Sequence, residues 1–113
     1  MSVGDRKRAA QRALVDRVLN GDGSAPPELR AGAFANTGLP PVIDALVGKV
    51  ATAPTEITEA DFAAAKAAGY TEDLLFELVI CAAVGQSTRQ YKEGLAALAE
   101  ADGSRSGGAG RAG

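Results

Sequence analysis

The chain has 113 residues, a formal net charge of −2, 46% hydrophobic residues, one cysteine and no histidine. This length suits one domain, and the slightly acidic balance argues against a nucleic-acid binder, which usually carries a basic face. One thiol cannot form an internal disulfide, and without histidine a Ser-His-Asp or Cys-His catalytic site cannot form within the chain.

The first 22 residues are predicted to form a basic N-terminal helix. Five basic side chains stand against two acidic ones among the first twenty residues, a balance of +3: Arg6, Lys7, Arg8, Arg12 and Arg17. Residues 56–102 carry nine acidic and three basic side chains, a balance of −6. The basic face is interpreted as a surface for an anionic partner, as a solvated helix face, or as an arm folded onto the acidic half.

Residues 23–102 are predicted to form the helical core domain. Paired prolines at 26–27 and 40–41 suit the first turns of two helices, which end near Asn36 and before Pro54. Thr58 and Asp61 have the spacing of a capping box for a third helix, which ends at Gly69. Thr71 then caps another helix.

The segment from Leu74 to Val84 is apolar on nearly every side, which predicts a central helix or one in a subunit interface. The pattern after it leaves open whether Gly85 breaks or only kinks this helix. Residues 103–113 are rich in Gly, Ser, Arg and Ala, and this composition predicts a disordered tail. We therefore expect an all-α fold, a small bundle of about five helices.

No apolar segment approaches the roughly 18 residues needed to cross a bilayer, and no secretory signal is visible. These features favour a cytoplasmic protein that does not bind a membrane. No residue pattern indicates a metal site or a cofactor.

Two side chains of the apolar segment are candidates for chemistry. Glu77 lies among Phe76, Leu78 and Ile80, and a desolvated carboxyl there would suit proton transfer. The structural alternative is a solvated Glu77, or one paired with Arg89 or Lys49. Cys81 lies one turn later and is interpreted either as a nucleophile or as an inert buried thiol.

Arg89 and Tyr91 follow the apolar segment and would line a pocket at its end, where the arginine would bind an anion. The structural alternative places both side chains at the surface or at the edge of the core.

The segment ITEADFAAAKAAGYTEDLLFELVICAAVGQSTRQYKEGLAAL, residues 57–98, resembles the alkyl hydroperoxidase D-like and carboxymuconolactone decarboxylase superfamily. The similar features are a helix ending in AxxAG, a capped YTED start and an apolar helix. The resemblance covers about forty residues and implies an all-α fold that assembles through packed helices, as a homo-oligomer or with a related helical protein.

The redox members of that family carry CxxC followed by histidine, and the corresponding positions here are Pro54, Ile57 and Asp61. The resemblance therefore implies a non-redox member that acts as an assembly or partner-binding module. One alternative is a cofactor-free lyase or isomerase that acts on a small carboxylate or lactone through Glu77, Arg89 and Tyr91 in a pocket between helices. A second alternative is a single-thiol peroxidase that uses Cys81.

Overall fold

The computed structural model describes the backbone of residues 3–112 and the side chains of residues 3–103. Over this range the fold consists of helices without a strand, which confirms the predicted all-α bundle of about five helices. The elements are α1 (Val3–Asn20), α2 (Pro27–Ala35), α3 (Pro41–Thr52), a 3₁₀ turn (Pro54–Glu56), α4 (Glu59–Ala67) and α5 (Glu72–Ala112).

The domain boundaries near residues 22 and 102 remain predictions. The tail that is predicted to be disordered comprises residues 103–113. Its side chains beyond Gly103 lie outside the described residues. Along residues 3–112, no helix has both the length and the apolar character that crossing a membrane requires.

The helix ends follow the capping chemistry that the sequence predicts. Prolines occupy the first turns of α2 and α3. The Thr58 hydroxyl accepts a hydrogen bond from the Asp61 amide while the Asp61 carboxylate accepts one from the Thr58 amide, which completes the predicted capping box of α4. At the start of α5, the Leu74 amide donates to the Thr71 hydroxyl at 3.2 Å.

The core lies between α5 and the three short helices α2, α3 and α4. Its buried members are Ala25, Ala33, Ile43, Leu46, Val47, Ala65, Leu75, Leu78, Cys81 and Ala82. Helix α1 contributes no buried residue and packs along α5 through half-buried side chains. One side of the apolar segment of α5 therefore lies in the core, as predicted. Phe76 and Ile80 lie on its other side and are about half exposed.

Helix α5 continues through Gly85, which resolves the question that the sequence left open. A Cβ atom at this position would collide with the backbone of Phe34 at the end of α2. Glycine is thus required because the two helix backbones touch, and not because the helix bends. This crossing determines how closely α2 packs against α5.

Replacing Gly85 by alanine should destabilise the fold by about 1–3 kcal/mol, because the added methyl group pushes α2 away from α5. Gly94→Ala is the matched control, since open space surrounds a Cβ there and alanine favours a helix by up to about 1 kcal/mol. Urea unfolding at one fixed protein concentration measures the free energy of unfolding of both variants. Equal effects of the two substitutions would contradict the close crossing.

Candidate functional site

The Glu77 carboxylate holds the loop between α1 and α2. Its Oε1 accepts a hydrogen bond from the Ser24 amide at 2.8 Å, and its Oε2 accepts one from the Ala25 amide at 2.6 Å. Since Pro26 and Pro27 have no N–H groups, these are the last amides before α2 that can donate. Both carboxylate oxygens are therefore occupied as acceptors within the fold.

Arg30 holds the same loop through its carbonyl groups. This side chain is buried, its Nε donates to the Ala25 carbonyl at 2.9 Å, and its Nη1 donates to the Gly21 carbonyl. A Cβ atom at Gly23 would collide with both the Glu77 carboxylate and the Arg30 guanidinium. The loop thus lies between an anion that binds its amides and a cation that binds its carbonyls, with glycine leaving room for both.

Cys81 lies one helical turn after Glu77 and is almost fully buried, with 2% of its surface exposed. Its Sγ donates to the Val18 carbonyl at 3.3 Å. Burial raises the pKa of the Cys81 thiol, the nearby Arg30 charge opposes this rise, and the Glu77 charge adds to it. The thiol form is favoured, which is the reverse of what a nucleophile requires.

Glu77 and Cys81 share the wall of a cavity of about 90 Å³, with Arg17, Arg30 and Ile80 also lining it. Ligand pockets for small molecules usually measure roughly 300–1,000 Å³. This cavity is too small to hold a lactone or keto acid together with the groups that would act on it.

Arg89 and Tyr91 lie away from this cavity. Arg89 donates through Nη1 to the Phe34 carbonyl at 2.6 Å and through Nη2 to the Gln86 side chain at 3.1 Å, so it binds the end of α2. Tyr91 is about two-fifths exposed and lines a groove between α1 and α5. Twelve residues of helix separate Glu77 from Arg89, about 18 Å along the axis, so the structure does not bring the predicted pair together.

The three positions that correspond to the redox motif of the resembled family lie at the start of α4. Pro54 begins the 3₁₀ turn, Ile57 packs against the core, and Asp61 belongs to the capping box. The Asp61 carboxylate also pairs with Lys49 of α3 at 2.8 Å. The hydrogen bond from Lys49, followed by the one from the Thr58 amide, lowers the pKa of Asp61 below its ordinary value. This carboxylate joins α4 to α3 as an anion.

Sequence reasoning missed Arg30, which binds two carbonyls of the loop that Glu77 holds, and Gly23, which leaves room for both side chains. Arg30 appears in the sequence as an ordinary charged helix residue, and nothing in its spacing indicates burial. The pair of prolines after Ala25 is the available signal, because the amides just before them need acceptors from elsewhere in the chain.

The other prominent feature is a series of apolar side chains on the surface. Among the described residues, seven large hydrophobic side chains are exposed, and five of them belong to α5. These five are Phe76, Ile80, Tyr91, Leu95 and Leu98. Phe76 makes a tilted ring contact with Phe62 of α4, with a centroid distance of 6.3 Å. Helix α5 thus exposes apolar side chains along its length in addition to those that it buries in the core.

Glu77→Gln should lower the free energy of unfolding by about 2 kcal/mol, because an amide has one acceptor oxygen and must leave one loop N–H without its partner. Glu93→Gln, an exposed position on the same helix, serves as the control and should change stability by less than about 0.5 kcal/mol. Chemical denaturation measures both values. An E77Q protein as stable as the parent would contradict the loop-holding role.

The Cys81 thiol should resist a disulfide reagent in the folded protein and react fully after unfolding in urea, because burial both shields it and raises its pKa. Ala64→Cys on the exposed side of α4 provides a second, accessible thiol that should react at once. Absorbance of the released thiolate follows both reactions. Rapid labelling of native Cys81 would favour the peroxidase alternative instead.

No three cysteine, aspartate or glutamate side chains of the described residues lie close enough together to hold a metal ion. Comparison with protein-family models, curated proteins and solved structures finds no match to this chain.

Proposed function

We propose that the chain is a non-redox, carboxymuconolactone decarboxylase-like helical protein that acts as an assembly or partner-binding module. The observation that carries the proposal is the number of large apolar side chains that α5 exposes: Phe76, Ile80, Tyr91, Leu95 and Leu98. Exposed apolar surface on a folded protein often marks a site of protein association. The proposed assembly is a homo-oligomer, or a hetero-oligomer with a related helical protein.

The exposure of the last part of α5 supports this proposal. All described residues from Gln90 to Gly103 are exposed, although this part of the helix contains Tyr91, Leu95 and Leu98. A helix in a protein owes most of its stability to the packing of its apolar face against other elements. A neighbouring chain that covers these residues would supply that packing.

The enzymatic alternatives receive less support from the contacts of their residues. Glu77 binds two loop amides, Arg89 binds a carbonyl of α2, and the Cys81 thiol is buried. Each side chain has a structural role, and Glu77 and Arg89 lie at different levels of α5. A lyase or isomerase would need an acid or base that is free to meet a substrate.

Sedimentation of the purified full-length protein should show a mass above that of one chain, or a defined complex with a purified related helical protein. Leu95→Glu combined with Leu98→Glu should shift either equilibrium toward the monomer without unfolding the chain. Ala60→Glu, an exposed substitution on α4, is the control and should leave the assembly unchanged. A chain that stays monomeric with no such complex would overturn the proposal.

A further inference from the structure

A groove runs between α1 and α5 within one chain. It consists of two cavities, of about 350 and 210 Å³. Both cavities are lined by Gln11, Arg12, Thr88 and Lys92, so they adjoin at these residues and form one groove. The larger cavity alone lies within the range of roughly 300–1,000 Å³ that is usual for small-molecule sites.

The floor of the groove is mostly apolar. Its apolar and aromatic side chains are Val15, Leu19, Phe34, Tyr91 and Leu95. None of them is fully buried, and Leu95 is 41% exposed. An alkyl chain that covers them would remove apolar surface of both partners from water, which favours binding.

The two polar side chains on the floor are already bonded within the fold. The Gln11 amide donates to the Thr88 hydroxyl at 2.8 Å, and this hydroxyl donates to the Val84 carbonyl at 2.7 Å. The floor therefore has few free polar groups for a hydrophilic ligand. The same contact shows how closely α1 approaches α5 below the groove.

The rim of the groove is positively charged. Arg8, Arg12 and Lys92 line it, against Asp16 as the acidic member of the described lining. Arg8 pairs with Asp5 at 3.4 Å on the surface. Arg12 and Lys92, which line both cavities, have no hydrogen-bond or ion-pair partner among the described residues. Two cations without partners thus flank an apolar floor.

We infer that this groove binds a single-chain anionic amphiphile of the fatty-acid class. The carboxylate lies between Arg12 and Lys92, where the two cavities adjoin, and the alkyl chain extends along Val15 and Leu19 toward Phe34. The basic side of α1 then has an anionic ligand of defined chemistry. Because one chain forms the whole groove, this inference goes beyond the proposed assembly and does not depend on it.

The size of the groove favours an alkyl chain over a helix of a partner protein. A helix with its side chains is about 10–12 Å wide, so it would lie on the rim and leave the cavities unfilled. An inorganic anion would meet the cations but leave the apolar floor in water. An amphiphile with one alkyl chain uses both features of the site.

Titration calorimetry of the full chain with dodecanoate, below the concentration at which it forms micelles, tests the charge of the ligand. Dodecanoate should bind at least about tenfold more tightly than dodecyltrimethylammonium, which has an alkyl chain of the same length. The chain has a net charge of −2, so non-specific attraction would favour the cationic probe instead. Equal affinities, or tighter binding of the cation, would overturn the inference.

A charge deletion tests the position of the carboxylate. Arg12→Gln combined with Lys92→Gln should weaken dodecanoate binding about tenfold, because two cations near the carboxylate are lost. Arg6→Gln combined with Lys7→Gln changes the net charge equally at positions that do not line the groove, and should have little effect. The same loss of affinity in both double variants would show that the carboxylate does not lie between Arg12 and Lys92.

The position of the alkyl chain is tested by its length and by filling the groove. Decanoate should bind about tenfold more weakly than dodecanoate, because two fewer methylene groups are buried. Val15→Trp should also weaken binding, whereas Ala10→Trp, at an exposed position outside the groove, should not. Urea unfolding checks that both variants fold. Affinity that is independent of chain length would contradict an alkyl chain in the groove, even if Val15→Trp fails to fold.

The remaining outcomes distinguish the source of the ligand and separate this inference from the proposed function. Sedimentation with phosphatidylglycerol vesicles without binding of free dodecanoate would indicate a membrane surface contact and overturn the site. A monomeric chain that binds dodecanoate would support the site and overturn the assembly function. An assembled chain that binds no dodecanoate would overturn the site alone.

Discussion

The attachment of α2 to α5 organises the whole molecule. Both ends of this short helix are bound to α5, the loop before it by the Glu77 carboxylate and its last turn by the Arg89 guanidinium. The two backbones also touch at this last turn, where Gly85 lies against Phe34. Because α2 is held at both ends, its Arg30 can reach back to the loop carbonyls and complete the connection to α1.

This arrangement gives a structural role to the polar residues that the sequence suggests for catalysis. An acid, an arginine and a thiol in or near an apolar helix suggest chemistry, yet each of them bonds to a backbone group of α1, α2 or the loop between them. Backbone groups in a loop that is packed against a helix need partners, and long side chains of that helix are the nearest source. Glu77, Cys81 and Arg89 each meet part of this requirement.

Local chemistry explains which parts of the fold could be predicted. The capping box at Thr58, the Thr71 cap and the proline starts depend on neighbouring residues, and the structure confirms them. The burial of Arg30 and the close approach at Gly85 depend on contacts between α2 and distant parts of the chain. No periodicity within a short segment carries that information, so these features could not be predicted from the sequence.

The order in which the chain is synthesised gives these distant contacts a further consequence. Gln11, Ser24 and Phe34 find their partners on α5 at separations of 77, 53 and 55 residues. A nascent chain that lacks α5 therefore exposes the apolar sides of α2 and α3 with nothing to cover them. Long-range closure of this kind delays folding until α5 has been synthesised, and the uncovered apolar segments are prone to aggregate until then.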